Sequence, residues 1–333
     1  MAAAGGASAE GTPCWTDAML PDLEAGKRFY GELFGWTFGD PAPPERGSYT
    51  IALLDGERVA ALAHKPDGRL PTAWTIYFAT PDAAATARRI RAAGGQLVTE
   101  PVAVGGAGVA GIAGVAGVMA TAVDPGGAAF GLWQPGTLTG FGTVRRPGSY
   151  VWTEVCTRER EAVDAFYAEV FGYGMHPASA RAGGSGGAAD AEGTAEEAAE
   201  ETAEETAEAA EAERLEEVGR VHRTAPGGAG DIGDAGDAGD TADIMVWTPP
   251  GEPADDEHAV GSRTMIDDTY PVEMPAHFLV YFAVADCDAA VRTAARLGGR
   301  AVEAPRDTPF GRYAVLVDNQ GARFGVLDTS TAR

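Results

Sequence analysis

The feature that most restricts what this chain can fold into is that it repeats itself. Residues 15–36, WTDAMLPDLEAGKRFYGELFGW, return at 152–173 as WTEVCTREREAVDAFYAEVFGY, with nine of twenty-two positions identical at an offset of 137. Trp15/Trp152, Phe29/Phe166, Tyr30/Tyr167 and Gly35/Gly172 are among the identities. A second block, 74–95, is answered by 278–299 at an offset of 204. A third, VDPGGAAFGLW at 123–133, is answered by VDNQGARFGVL at 317–327 at an offset of 194. The chain thus reads as two copies of one unit. The changing offsets place about 67 extra residues between the first and second blocks of the second copy, and ten extra between the second and third blocks of the first.

Each block carries a local signature. In 22–35 the residues Gly26, Phe29, Tyr30, Leu33 and Phe34 recur at three and four, which predicts a helix; Asp22 would cap its start and Gly35 its end. Cys14–Met19 alternates as a strand does, and WTIYFA at 74–79 is rich in β-branched and aromatic residues. Asp82 caps a further helix ending at Gly94-Gly95. Hairpins are expected around Asp55-Gly56 and around Asp124–Gly127. Each copy therefore reads as β-α-β-β-β twice over, an α+β fold. The expected boundaries are a disordered tail at 1–12, a first domain at 13–135, a linker at 136–148 and a second domain at 149–329 that 178–243 interrupts.

Strand, helix ending in FY..LFGW, hairpin, strand, helix ending in GG, then a D-P-x-G hairpin resembles the vicinal oxygen chelate superfamily. That is the group of glyoxalase I, bleomycin-resistance proteins and extradiol dioxygenases. The resemblance covers roughly 13–135 and, with the interruption, 149–329, and is nearest to tandem-domain glyoxalase-like proteins of actinobacteria. It implies four βαβββ units whose curled mixed sheets surround clefts, with the two domains pairing inside one chain. It also implies where a metal would be held. The first ligand position falls on Trp15 and Trp152, the second on Trp74 and Phe278, the third on Gly131 and Gly325. None of the six carries a donor side chain, so no metal and no other cofactor is expected. The remaining candidate ligand is His64, at a strand end; His277 precedes Phe278 and by alternation should point away from the cleft.

If Trp15 points into the cleft, then Asp17 and Met19 do as well, and Trp152, Glu154 and Cys156 in the second copy. Trp74, Ile76, Phe78 and Trp133 join the first set; Phe278, Val280 and Phe282 join the second. The expected ligand-binding residues are Trp15, Asp17, Met19, Trp74, Phe78, Trp133, Trp152, Glu154, Phe278 and Phe282. Aromatic walls with one carboxylate suit a planar or cationic organic molecule, although the same aromatics could simply fill a core. Asp17 and Glu154 occupy one repeat position and are the candidates for acid–base work, against a plain structural role. No Ser-His-Asp or Cys-His arrangement is evident, and Cys14 reads as a core residue.

Charge and composition narrow the function classes. Twenty-five Lys+Arg against 49 Asp+Glu leave a net charge of −24, which disfavours nucleic acid and anionic membrane surfaces as partners. Three scattered Cys and no apolar run of spanning length fit a reduced cytoplasmic protein. Between 178 and 217 thirteen acids face two Arg, without an apolar face, which predicts disorder or a marginal solvated helix. DIGDAGDAGDTAD at 231–243 lacks calcium-loop spacing, and GGAGVAGIAGVAG at 105–117 lacks the GK[ST] of a phosphate loop; the latter is expected to be a long loop at the cleft mouth. Three readings follow: a metal-free protein that binds a small molecule for sequestration, resistance or sensing; a lyase, dioxygenase or hydroxylase of the same fold with an atypical metal site at His64; and an interaction protein acting through the acidic insert.

Overall fold

A computed structural model describes residues 8–44, 47–65, 72–105, 115–178, 244–268 and 270–332. Most of the N-terminal tail, the centre of the glycine-rich stretch and nearly all of the acidic insert lie outside the described residues. So does the reading of that insert as an interaction arm. The first domain runs β1 (Pro13–Leu20), α1 (Leu23–Phe34), β2 (Thr37–Phe38), β3 (Thr50–Leu54), β4 (Glu57–His64), then β5 (Trp74–Ala79), α2 (Ala83–Ala92), β6 (Gln96–Gly105), β7 (Val115–Val123) and β8 (Ala129–Pro135). The second runs β9 (Tyr150–Thr157), α3 (Arg160–Phe171), β10 (Gly174–Pro177), β11 (Met245–Thr248), β12 (Gly261–Met265), then β13 (His277–Ala283), α4 (Cys287–Arg296), β14 (Arg300–Thr308), β15 (Gly311–Val317) and β16 (Arg323–Asp328). Four βαβββ units follow one another, as expected. They form two eight-stranded mixed sheets of identical order, β2-β3-β4-β1-β5-β8-β7-β6 and β10-β11-β12-β9-β13-β16-β15-β14.

Local chemistry sets the helices. Asp22, Asp82 and Asp286 each accept from the backbone N–H three residues on, the bond an N-cap supplies. Gly35 and Gly172 end α1 and α3 at φ 75° and 72°, a backbone that a side chain would strain. Two expectations change. Gly11 donates to Ala79 O and Ala79 donates to Thr12 O, both at 2.9 Å, so the end of the supposed tail is hydrogen-bonded onto the end of β5. Gly105 and Val115–Gly117 belong to the β6–β7 hairpin rather than to a loop, because their backbone groups pair across it.

The helices sit between the sheets, and each binds the other domain. Phe29 lies against Gly299, where an added Cβ would be 3.0 Å from its ring; Phe166 lies against Gly95, where the same atom would be 2.7 Å away. Tyr30 donates to Asp318 Oδ2 at 2.8 Å and Tyr167 donates to Asp124 Oδ2 at 3.1 Å. Both acids also accept from the backbone of their own hairpin turns, at Ala322 and Ala128. The repeated blocks are therefore the two halves of one contact made twice: FY of one copy meets GG and VD of the other. Between the sheets Trp74 meets Phe282 at 5.0 Å and Phe78 meets Phe278 at 5.7 Å, in the largest buried cluster. Each such ring contributes about 1.5–3 kcal/mol on burial.

Removing one phenol leaves a buried carboxylate short of a donor. Tyr30→Phe and Tyr167→Phe should each cost about 1–3 kcal/mol, read as lower urea midpoints without a change in slope. Midpoints equal to that of the parent protein for both variants would show that the domains are held by ring packing alone.

Candidate functional site

The face of each sheet turned away from the helices holds the candidate site. Register decides which residues reach it. Trp15 pairs with Tyr77 and Asp17 with Thr75 across β1 and β5, while Asp17 pairs with Ala61 across β1 and β4. Paired residues share a face, so Trp15, Asp17 and Tyr77 stand together. Trp74, Ile76 and Phe78 stand on the opposite face, in the core between the domains. The second sheet repeats this: Glu154 pairs with Leu279 and Trp152 with Tyr281, which sends Phe278, Val280 and Phe282 into the shared core. The expectation that Trp74, Phe78, Phe278 and Phe282 line a cleft is corrected accordingly. A one-residue slip along a strand moves every side chain to the other face. The same slip misplaced His277, whose pairing with Cys156 puts it on the site face of the second sheet. Its Nδ1 lies 3.0 Å from Pro275 O, and burial pushes its pKa down. His64 is exposed and pairs with Leu20, whose side chain faces the helices.

In the first domain the acid is sealed. Asp17 is 4% exposed; Tyr49 donates to its Oδ2 at 3.0 Å and Tyr77 to its Oδ1 at 3.3 Å. Trp15 Nε1 donates to the Tyr49 hydroxyl at 2.8 Å. Trp133 Nε1 donates to Leu138 O, and Leu138 and Phe141 from the segment after β8 pack into the same cluster as Trp15. Met19, 40% exposed, marks the outer end of the strand. Burial raises the Asp17 pKa to about 6, against the two phenols, which lower it.

The second domain keeps the acid and opens its surroundings. Tyr281 donates to Glu154 Oε1 at 2.6 Å and Thr264 donates to its Oε2 at 2.8 Å. Burial again raises the acid's pKa. Trp152, Glu154 and Cys156 are half-buried rather than sealed. Farther round the face, Glu303 accepts from Tyr270 at 3.2 Å and from Tyr313 at 3.4 Å. Arg306 lies over the Tyr313 ring, 4.8 Å from its centre, and its Nη2 is 3.7 Å from Glu303. By register the positions of Glu303, Arg306 and Tyr313 correspond in the first sheet to Thr99, Val102 and Met119. Sequence reasoning missed Tyr49, Tyr270, Glu303, Arg306 and Tyr313, which no repeat marks. Tyr77 and Tyr281 were legible as the identical YFA of the second block.

The residues at the positions where this fold would hold a metal do not suit one. Trp15 and Trp152 offer no lone pair, and Trp74 and Phe278 are turned into the shared core; the site-face residues next to them, Thr75 and Leu279, pair with Asp17 and Glu154. Gly131 and Gly325 are overlain by tyrosines: a Cβ at either would lie 2.1 Å from the ring of Tyr77 or Tyr281. The space of a ligating side chain there is filled by a phenol that binds the acid. Among the described residues no group of three or more His, Cys, Asp or Glu could hold a metal ion.

The raised Asp17 pKa has a stability consequence with a definite sign. Between pH 3.8 and about 6 the folded chain keeps a proton that the unfolded chain has released, so this group's contribution falls as pH rises through that window. Asp17→Asn should remove this loss. Its stability relative to the parent protein should rise by about 2 kcal/mol between pH 4 and pH 7, measured by urea unfolding; a difference that does not change with pH would rule out a raised Asp17.

The sequence profile described as "Glyoxalase/Bleomycin resistance protein/Dioxygenase superfamily" matches residues 15–132. The anthracycline biosynthesis protein DnrV of Streptomyces peucetius is 31% identical, over 96% of this chain and 94% of its own. The putative glyoxylase CFP32 of Mycobacterium bovis is 31% identical, over 96% of this chain and 95% of its own. The 2,3-dioxygenase LapB of Pseudomonas sp. KL28 shares the fold, with a TM-score of 0.54 at 12% identity, covering 96% of this chain and 93% of that one. A Mn(II)-bound glyoxalase from Novosphingobium aromaticivorans does too, with a TM-score of 0.51 at 13% identity, covering 98% and 87%. With relatives of this similarity along nearly its whole length, and with the sheet order now described, the chain belongs to the glyoxalase/bleomycin resistance protein/dioxygenase superfamily.

Proposed function

We propose that the protein binds a small planar organic molecule carrying a hydrogen-bond donor or a positive charge, and that it does so in the second domain. The role is sequestration, resistance or sensing, with no metal and no other cofactor taking part. The observation that carries the reading is the difference between the two faces. The first is closed over Asp17 by Tyr49, Tyr77 and Trp15. The second leaves Trp152, Glu154, Tyr270, Tyr313 and Arg306 half-buried on one face. Rings there offer stacking area, and Glu154 and Glu303 offer acceptors to an ammonium or a phenol. The similarity to a protein named for anthracycline biosynthesis supports a polycyclic aromatic as the first probe.

The test titrates Trp fluorescence with an anthracycline glycoside bearing an amino sugar, and with its neutral aglycone. Both should bind, and the glycoside more tightly. Glu154→Gln should weaken the glycoside about ten-fold or more, the scale of one hydrogen bond to a charged group, and Trp152→Phe should remove most of the signal. Affinities left unchanged by both substitutions would place the ligand elsewhere and refute the reading.

A further inference from the structure

Glu303 is the acceptor on the open face that belongs to no repeat, and both of its hydrogen bonds come from phenols. Tyr313 is on the neighbouring strand β15 and pairs with Arg306 across the hairpin. Tyr270 is not on the sheet. It lies in the segment between β12 and β13 and reaches back to Glu303 on the edge strand β14. The backbone that carries it is tied down by one side chain. Arg158 donates to Ile266 O at 3.1 Å, Asp267 O at 3.2 Å, Tyr270 O at 3.5 Å and Pro271 O at 2.9 Å. So the chain brings a phenol of its own to the acceptor that a ligand would use.

The bond lengths say which contact gives way. Tyr281 holds Glu154 at 2.6 Å, a short bond to a half-buried acid. Tyr270 holds Glu303 at 3.2 Å, longer than the usual O–H···O range and correspondingly weaker. A rotation of the Tyr270 side chain would break it without disturbing the Arg158 bonds, which are all to main-chain carbonyls. On the flank of the same segment an open depression of ≈ 360 Å³, lined by Arg158, Arg160, Met265, Ile266, Asp267 and Asp268, leaves room for the segment to adjust. In the first domain Thr99 and Val102 replace Glu303 and Arg306, so this arrangement belongs to the open cleft alone.

We propose that Tyr270 is a specificity-determining gate: its hydroxyl occupies the Glu303 position of the second cleft, and a ligand enters by displacing it with a phenol or ammonium group of its own. The proposal rests on the reading of that cleft as the ligand site, and it sets the substrate class. A molecule without a donor cannot replace Tyr270 on Glu303, so it meets a closed gate.

Two measurements test it in the full chain, one of which needs no ligand. Cys156 shares the open face and pairs with Thr264 on β12, the strand that leads into the Tyr270 segment, whereas Cys14 and Cys287 are buried. Tyr270→Phe keeps the ring and removes the bond, and should raise the rate of Cys156 alkylation by N-ethylmaleimide several-fold, followed by mass spectrometry of the labelled peptide. An unchanged rate in a variant with unchanged melting temperature overturns the gate, whatever binds. The second measurement compares an anthracycline with an analogue whose phenols are methylated and whose amine is removed. Tyr270→Phe should tighten the donor-bearing probe about five-fold, the scale of one hydrogen bond given back, and Glu303→Gln should abolish that gain. Equal gains for both probes, or a loss of affinity, would show Tyr270 to be a steric wall or a ligand contact instead. If neither probe binds the parent protein or Tyr270→Phe, the proposed ligand class fails while the alkylation result still decides the gate.

Discussion

The structure depends on a contact made twice between its halves, a tyrosine on the helix of one domain donating to an aspartate in the hairpin turn of the other. Tyr30 with Asp318 and Tyr167 with Asp124 each bury a carboxylate that burial alone would disfavour, as the raised pKa of both acids records. Phenol and backbone donors together make that burial tolerable. The contact also orients the helix, because Phe29 and Phe166, one position earlier, then lie on Gly299 and Gly95, where any side chain would collide. Helices committed to the partner domain leave the other face of each sheet uncovered by helix. Those helix-free faces are a consequence of how the domains pair.

This explains why so much of the fold was legible. The recurring Phe-Tyr, Gly-Gly and Val-Asp pairs are those that make the inter-domain contact, and turn and cap chemistry at Asp22, Asp82, Gly35 and Gly172 marks the ends of the helices. The site was less legible for two physical reasons. In WTIYFA both faces of the strand are buried, one in the shared core and one against Trp15, so hydrophobicity does not reveal which residues face the acid. Only pairing does, and pairing is not written in one strand. Trp15 and Trp152 are assigned to the site faces by the first ligand position of the resembled family, Asp17, Met19 and Glu154 follow by alternation along β1 and β9, and Trp133 by its place beside Gly131. The second reason is distance along the chain. Tyr270, Glu303 and Arg306 meet through a segment and an edge strand that resemble nothing in the first copy.

Glycine at the third ligand position shows how an absence can be misread. Gly131 and Gly325 look like ligands lost. In the structure each is the floor beneath a tyrosine ring, and that tyrosine holds the acid of the neighbouring strand. The glycine, the phenol and the carboxylate form a unit present in both domains. A Glu in place of the glycine would have to expel the ring, and the acid would then lose a donor in a place where burial already raises its pKa. The unit excludes a metal-binding side chain by volume and holds a phenol-bonded carboxylate instead.

The two copies of that unit sit in different company, and the difference bears on function. In the first domain Tyr49 supplies the second hydroxyl, a tryptophan bonds to it, and the segment after β8 closes over the pair, which is what packing alone would favour for a buried acid. In the second domain Thr264 supplies the second hydroxyl, and the positions that are Thr99, Val102 and Met119 in the first become Glu303, Arg306 and Tyr313. Two acids, a guanidinium and three phenols on one half-buried face gain little stability, since partly exposed ion pairs contribute about 0–1 kcal/mol. An apolar face of the same shape would serve the fold as well, as the first domain demonstrates. What the polar set adds is a choice of hydrogen-bond partners at the surface of an aromatic wall, with Tyr270 already occupying one of them. Stability accounts for the first acid; the surroundings of the second are what the proposed recognition of a ligand would require.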